Sequence, residues 1–188
     1  AKLTGLGNEA LVEGRFEIAI AHYRRALERD PHYSFALFNL AVAHQQLGQF
    51  AEARSRYEQV LGIDPTHSQA IANLAWLDFR SGDDDSAVRR FSDAARLSAA
   101  RPTEAADHWF NIGAVRSHLG QFIEARRAYE QCLVCEPRHA GARYNLGTLL
   151  LGPLYSGPAS LGLAREHLEQ AVQIDAKRTE AWLNLALC

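Results

Sequence analysis

Apolar residues recur along the chain in pairs of helical stripes with a glycine between them. Leu37, Leu40, Ala41 and Leu47 fall at i, i+3, i+4 and i+10, and after a break Phe50, Ala53, Tyr57, Val60 and Leu61 fall at i, i+3, i+7, i+10 and i+11. Both spacings place the apolar side chains on one face of an α-helix. Gly48 suits the left-handed residue that closes a helix, so the first helix is predicted to stop near Leu47 and the second to begin about Phe50. Asp64-Pro65 ends the second helix, because the residue before a proline is pushed out of the α region.

The same pair of stripes repeats along the chain. Ala19, Ala53, Ala87, Ala125 and Ala164 recur at separations of 34, 34, 38 and 39 residues. Four residues beyond them stand Tyr23, Tyr57, Phe91, Tyr129 and, in the fifth copy, Leu168. Gly14, Gly48, Gly82 and Gly120 keep the register upstream, as do Leu6, Leu40, Leu74, Ile112, Leu146 and Leu185. The small alanine lets the two helices of a unit approach, and the aromatic one turn later fills the space beside it. Neither helix can bury its stripe alone, so stability must come from stacked neighbours.

Trp109, Ile112 and Gly113, then Gly120-Gln121-Phe122, Ala125, Tyr129 and Pro137 reproduce the residue types and spacing of the tetratricopeptide repeat, which the whole chain resembles. That resemblance implies an all-α, right-handed superhelical solenoid of about five and a half helix-turn-helix repeats. The repeats are expected at 1–33, 34–67, 68–105, 106–139 and 140–178, followed by a lone helix at 179–188. Two insertions interrupt the period. One, within Ala100–Glu104, is expected to lengthen a turn or the start of the next helix; the other, within Gly152–Ser160, carries two glycines and two prolines and reads as a loop.

Composition narrows the function by exclusion. The 188 residues carry 20 basic and 22 acidic side chains, a formal net charge of −2, which disfavours a nucleic-acid or anionic-membrane surface as the main business of the chain. No apolar run approaches the length of a membrane span, and the N-terminus shows no signal-peptide pattern. Only Lys2 and Lys177 are lysines, a bias of the kind seen in GC-rich bacteria, so a bacterial cytoplasm or periplasm is the expected setting. Methionine is absent even at residue 1, and Cys188 falls within the last expected helix, so a cut through a longer array is expected.

No catalytic constellation stands up to its own requirements. Cys132 and Cys135 form a CxxC late in a helix, whereas a redox pair needs its first thiol at a helix N-terminus; Cys132 also shares its register with Ala26 and Ala94 and reads as a core residue. Asp83-Asp84-Asp85 lacks the alternate spacing of a calcium loop and reads as the acidic start of a helix. The eight histidines show no metal-ligand spacing, and no phosphate loop or nucleophile elbow occurs. The chain is read as non-catalytic, with no cofactor and no metal. Paired arginines such as Arg126-Arg127 alternate with Glu124 and Glu130, as on a solvated mixed-charge face.

The first helices of the units carry a different signal. Asn39, Asn73, Asn111, Asn145 and Asn184 each stand one residue before the leucine or isoleucine marker. Asparagine is a mediocre helix former, so propensity does not explain its recurrence. A carboxamide offers both a donor and an acceptor, matching a peptide unit. The arrangement is similar to the asparagine ladder of the repeat superhelix in O-linked N-acetylglucosamine transferases, and that resemblance implies amides lining the concave surface and holding a polypeptide by its backbone. Bonding to the next helix, which would lock the stacking, fits the same residues equally; either role contributes only ~1 kcal/mol per bond.

Around these amides stand Phe35, Phe38, Val42, Trp76, Phe79, Phe110 and Tyr144, a second apolar stripe beside the one that fills the core. Such a stripe marks a binding surface. Thr4, Gln69 and Asn73 occupy the positions where co-chaperone repeats carry basic residues, so clamping of a terminal carboxylate is not expected. The function expected is binding of a protein or extended peptide in the groove, as a scaffold or adaptor. The alternatives are the substrate-recruiting arm of a larger enzyme, such as an O-GlcNAc-type glycosyltransferase, and an assembly scaffold of a bacterial secretion, pilus or exopolysaccharide export system. Trp182, Leu183 and Leu187 on the last helix add an expectation of self-association.

Overall fold

A computed structural model describes residues 2–155 and 157–188. Among them the chain is helical throughout, with eleven α-helices, one 3-10 turn and no strand. It folds as two compact units, Ala1–Arg90 and Phe91–Cys188. The first contains α1 (Lys2–Val12), α2 (Phe16–Leu27), α3 (Ser34–Gln46), α4 (Phe50–Ile63), α5 (Ser68–Arg80) and the start of α6 (Asp84–Leu97). The second contains the rest of α6, α7 (Pro102–His118), α8 (Phe122–Cys135), α9 (Ala140–Leu150), α10 (Pro158–Ile174) and α11 (Thr179–Leu185).

The glycines of the repeat end the helices as the sequence requires. Gly14, Gly48, Gly82 and Gly120 adopt φ between 70 and 84°, a left-handed conformation that costs a residue with a Cβ but not glycine. After Gly48 the Gln49 amide donates to the His44 carbonyl at 2.9 Å, and after Gly120 the Gln121 amide donates to the Arg116 carbonyl at 2.9 Å. These are the long bonds that satisfy the last carbonyls of a helix before the chain reverses. Asp64 and Glu136 end α4 and α8 in extended backbone just before Pro65 and Pro137.

Within each unit the helices pack on their neighbours in sequence around small alanines and one large residue from each second helix. Tyr23 and Tyr57 are buried with Ala19, Ala53 and Leu40 in the first unit, and Tyr129 and Leu168 with Ala125 and Leu146 in the second. The Tyr129 ring lies against the backbone of α7 where Gly113 leaves room: a Cβ on Gly113 would sit 2.5 Å from it. Gly7 against Tyr23 and Gly147 against Leu168 are the same seat, with a Cβ 2.7 Å from the partner in each. A buried carboxylate ties three helices of the first unit together, as Asp78 of α5 meets Arg54 of α4 and Arg90 of α6, each at 2.8 Å.

The insertions resolve in two ways. Residues Pro102–Glu104 extend α7, which starts on a proline at its first turn and runs 17 residues against 13 for α3 and α5. The second insertion is only partly a loop. A 3-10 turn spans Pro153–Tyr155, and Pro158, Ala159 and Ser160, expected in the loop, already belong to α10. Proline fits there because the first helical N–H has no intrahelical partner to lose. The last helix, expected to continue through Cys188, ends at Leu185.

Candidate functional site

All five asparagines of the repeated register lie half-buried on α3, α5, α7, α9 and α11. Their bonds differ. The Asn73 carboxamide pairs with the Tyr57 hydroxyl, which itself donates to Gln45 Oε1 at 2.9 Å. Asn145 Nδ2 donates to the Tyr129 hydroxyl at 3.1 Å, and Ser117 Oγ lies 3.3 Å from that hydroxyl. Asn184 Nδ2 donates to Thr148 Oγ1 at 2.9 Å, linking α11 to α9. Asn39 instead donates to the Phe35 carbonyl of its own helix at 3.0 Å. Asn111 keeps the register, but the matching second-helix aromatic is Phe91, which has no hydroxyl to share. Three of the five amides thus join helices, and each such bond uses only part of a carboxamide's capacity.

Burial fixes the protonation state of the tyrosines beneath them. Removal from water pushes the Tyr23 hydroxyl up to about 12 and raises those of Tyr57 and Tyr129 as well. Each is therefore a neutral hydroxyl that can give one hydrogen bond and accept others. Tyr23 gives its proton to Asn8 Oδ1 at 2.7 Å.

The apolar stripe is less open than a run of half-buried residues suggests. Phe38 stacks on His67 at 5.0 Å and meets Tyr57 at 5.7 Å; Phe110 repeats both contacts, with His139 at 4.9 Å and Tyr129 at 6.0 Å. Those histidines also cap the next helices, their Nδ1 atoms accepting from the Ala70 and Ala142 amides at 3.2 and 3.0 Å. Trp76 lies 5.8 Å from Phe50, with the Arg80 guanidinium over both rings. Val42 packs on the core around Tyr57, Phe79 is half-buried, and Tyr144 sits under Arg178. Phe35 is the most exposed of the set.

The second unit contains a cavity of about 440 Å³ that periodicity did not point to. Ala114 and Ser117 of α7, Phe122 and Tyr129 of α8, Asn145, Thr148 and Leu149 of α9 and the turn Gly152–Tyr155 surround it, and none of these side chains is charged. Arg126 caps the Tyr155 ring at 5.5 Å, and Tyr155 reaches the Phe122 carbonyl with its hydroxyl. The insertion was visible in the sequence; that it walls a cavity was not.

Other candidates take structural places. Cys132 is fully buried, and burial pushes its thiol up to about 12, far from a reactive thiolate. Asp83 Oδ1 accepts the Ser86 amide at 3.1 Å as a helix cap, and this bonding holds its carboxyl below the usual range. Among the described residues no group of three or more histidine, cysteine, aspartate or glutamate side chains could hold a metal ion. Nor is any described helix long and apolar enough to cross a membrane.

These features define a tetratricopeptide-type array. Three models described as tetratricopeptide repeat match residues 4–68, 46–106 and 106–133, and the chain belongs to that family. Among solved structures, PilF of Pseudomonas aeruginosa superposes with a TM-score of 0.85 at 21% identity, over 97% of this chain and 79% of that one. MamA matches with a TM-score of 0.74 at 21% identity, over 93% and 97% of the two chains. YrrB, described as a TPR protein with an unusual peptide-binding site, matches with a TM-score of 0.68 at 20% identity, over 96% and 89%. At such identities the likeness establishes the fold. No curated protein sequence matches the chain.

Proposed function

We propose that the chain is a non-catalytic interaction module that holds a protein or an extended peptide against its first-of-pair helices. Asn39, Asn73, Asn111, Asn145 and Asn184 supply backbone contacts, and the half-buried aromatics supply apolar ones. The observation that carries this is the placement of all five amides at half-buried positions on successive first helices, with hydrogen-bonding capacity beyond the bonds they make to the fold. Membership of a repeat family built for protein interaction supports it. The ligand class is polypeptide rather than nucleic acid, given the balanced charge.

A second reading, an assembly scaffold that self-associates, is favoured by α11. Trp182 and Leu183 on that helix and Leu187 just beyond it are exposed. The bacterial cytoplasm or periplasm is the proposed setting.

Affinity capture from the host with the intact protein, beside the quadruple variant Asn39→Ala, Asn73→Ala, Asn111→Ala and Asn145→Ala, tests the first reading. Partners retained by the native protein and lost by the variant support it. Undiminished capture by a folded quadruple variant removes the amide ladder from the mechanism. Light scattering across a concentration series tests the second: a Trp182→Ser, Leu183→Ser variant should stay monomeric where the native chain associates.

A further inference from the structure

Residues 37–80 of the first unit and 109–152 of the second carry the same repeat pattern 72 residues apart, so each position in one stretch has a counterpart in the other. Val42, Gln45, Phe50, Tyr57 and Asn73 correspond to Ala114, Ser117, Phe122, Tyr129 and Asn145. Four exchanges break the match, each to a smaller side chain: Ala114 and Ser117 stand for Val42 and Gln45, and the two largest losses are Trp76 to Thr148 and Arg80 to Gly152. In the first unit the Trp76 indole packs on Phe50, with Arg80 4.5 Å from the Phe50 ring centre and 5.0 Å from that of Trp76. In the second, the short threonine side chain and a hydrogen atom replace these two large side chains, and the cavity beside Phe122 lies there.

We propose that this cavity takes one aromatic side chain, tryptophan foremost, from the polypeptide held by the module, packed against Phe122 as Trp76 packs, tilted, against Phe50. The proposal rests on the groove reading for the polypeptide, though not for the ring itself. A space of about 440 Å³ falls within the roughly 300–1,000 Å³ typical of small-molecule sites. Its apolar walls come from Phe122, Leu149, Pro153, Leu154 and Tyr155, and the absence of any charged side chain from the lining disfavours an acidic or basic occupant. Polar groups stand at one side. The Asn145 carbonyl oxygen takes no part in the bond to Tyr129 and can accept an indole or backbone N–H. Thr148 Oγ1 accepts from Asn184 and keeps its own proton to donate. An aromatic residue with one polar edge matches this division better than an aliphatic one. The Pro153–Tyr155 turn, present only in the inserted copy, closes a side that an ordinary repeat leaves open.

The test uses the whole chain, with N-acetyl-L-tryptophanamide as probe and N-acetyl-L-alaninamide as control. The tryptophan probe should shift the amide resonances of Thr148, Leu149, Leu154 and Tyr155, and the alanine probe should not. Thr148→Trp restores the filler of the first unit and should weaken the probe roughly tenfold or more, as for loss of a buried anchor. Leu154→Asp, at an exposed site in the turn, should weaken it without changing the melting curve. Shifts elsewhere in the chain, or unchanged affinity in both folded variants, overturn the proposal. A peptide array separates the two readings. Peptides that bind without regard to aromatic content overturn the aromatic site and leave the groove; a seated probe with no peptide retained leaves the site and removes the groove.

Discussion

The Asn145 carboxamide donates to the Tyr129 hydroxyl at 3.1 Å, joining α9 to α8. Ser117 of α7 stands 3.3 Å from the same oxygen, so one buried hydroxyl serves three helices. Tyr129→Phe removes that junction while keeping the ring, and should cost about 1 kcal/mol in urea unfolding. Asn145→Ala should cost a similar amount, and the two losses should overlap by about 0.5–1 kcal/mol when combined. Strictly additive losses would mean that the bond does not contribute to stacking, leaving Asn145 for ligand alone.

The seat at Gly113 gives a sharper contrast. Gly113→Ala drives a Cβ into the Tyr129 ring and should destabilise the protein by about 1–3 kcal/mol. Gly162→Ala, inside α10 with open space around it, should instead stabilise by ~0.5–1 kcal/mol because a helix interior favours alanine. Equal effects at the two sites in thermal melts would contradict the close approach of α7 and α8.

Asp78 is a third test, since its carboxylate is buried while Arg54 and Arg90 keep about a third of their surface. Asp78→Ala should cost about 2–3 kcal/mol, at or below the low end for a broken buried pair because the arginines can turn to water. Arg54→Ala with Arg90→Ala strands the carboxylate and should cost at least as much. Unfolding midpoints that hardly move in either variant would reduce the triad to a surface contact.

Acidification bears on the second unit. His108 and His167 are held below the usual histidine value, both chiefly by removal from water, with Arg143 adding to the effect at His167 and Glu104 opposing it at His108. Above about pH 6.5 both rings are neutral in folded and unfolded chains, so their contribution is complete. Below it the unfolded chain takes up protons that the folded one resists, so stability falls with pH towards the depressed values. Urea midpoints at about pH 7.5 and about pH 5.5 should show this loss, and His108→Gln should reduce it. A midpoint that rises on acidification would contradict the burial of these rings.

Much of the fold was legible from spacing alone. Stripes at helical period located the helices, recurring glycines set the turns, and alanine with tyrosine four residues later marked where paired helices touch, because each depends on residues near in sequence. The asparagine register was equally visible, though not its duty. Asn145 meets a tyrosine 16 residues earlier and Asn184 a threonine 36 residues earlier, partners supplied by stacking rather than by a helix's own period. The same holds for Phe38 and Phe110, which look like open surface in sequence and are covered by His67 and His139 of the following turn. The cavity beside Phe122 depended most on tertiary structure. The exchange of Trp76 for Thr148 and the inserted turn can each be seen in the chain, but only packing brings a missing side chain and an added wall to one place, because enclosed space belongs to no single segment.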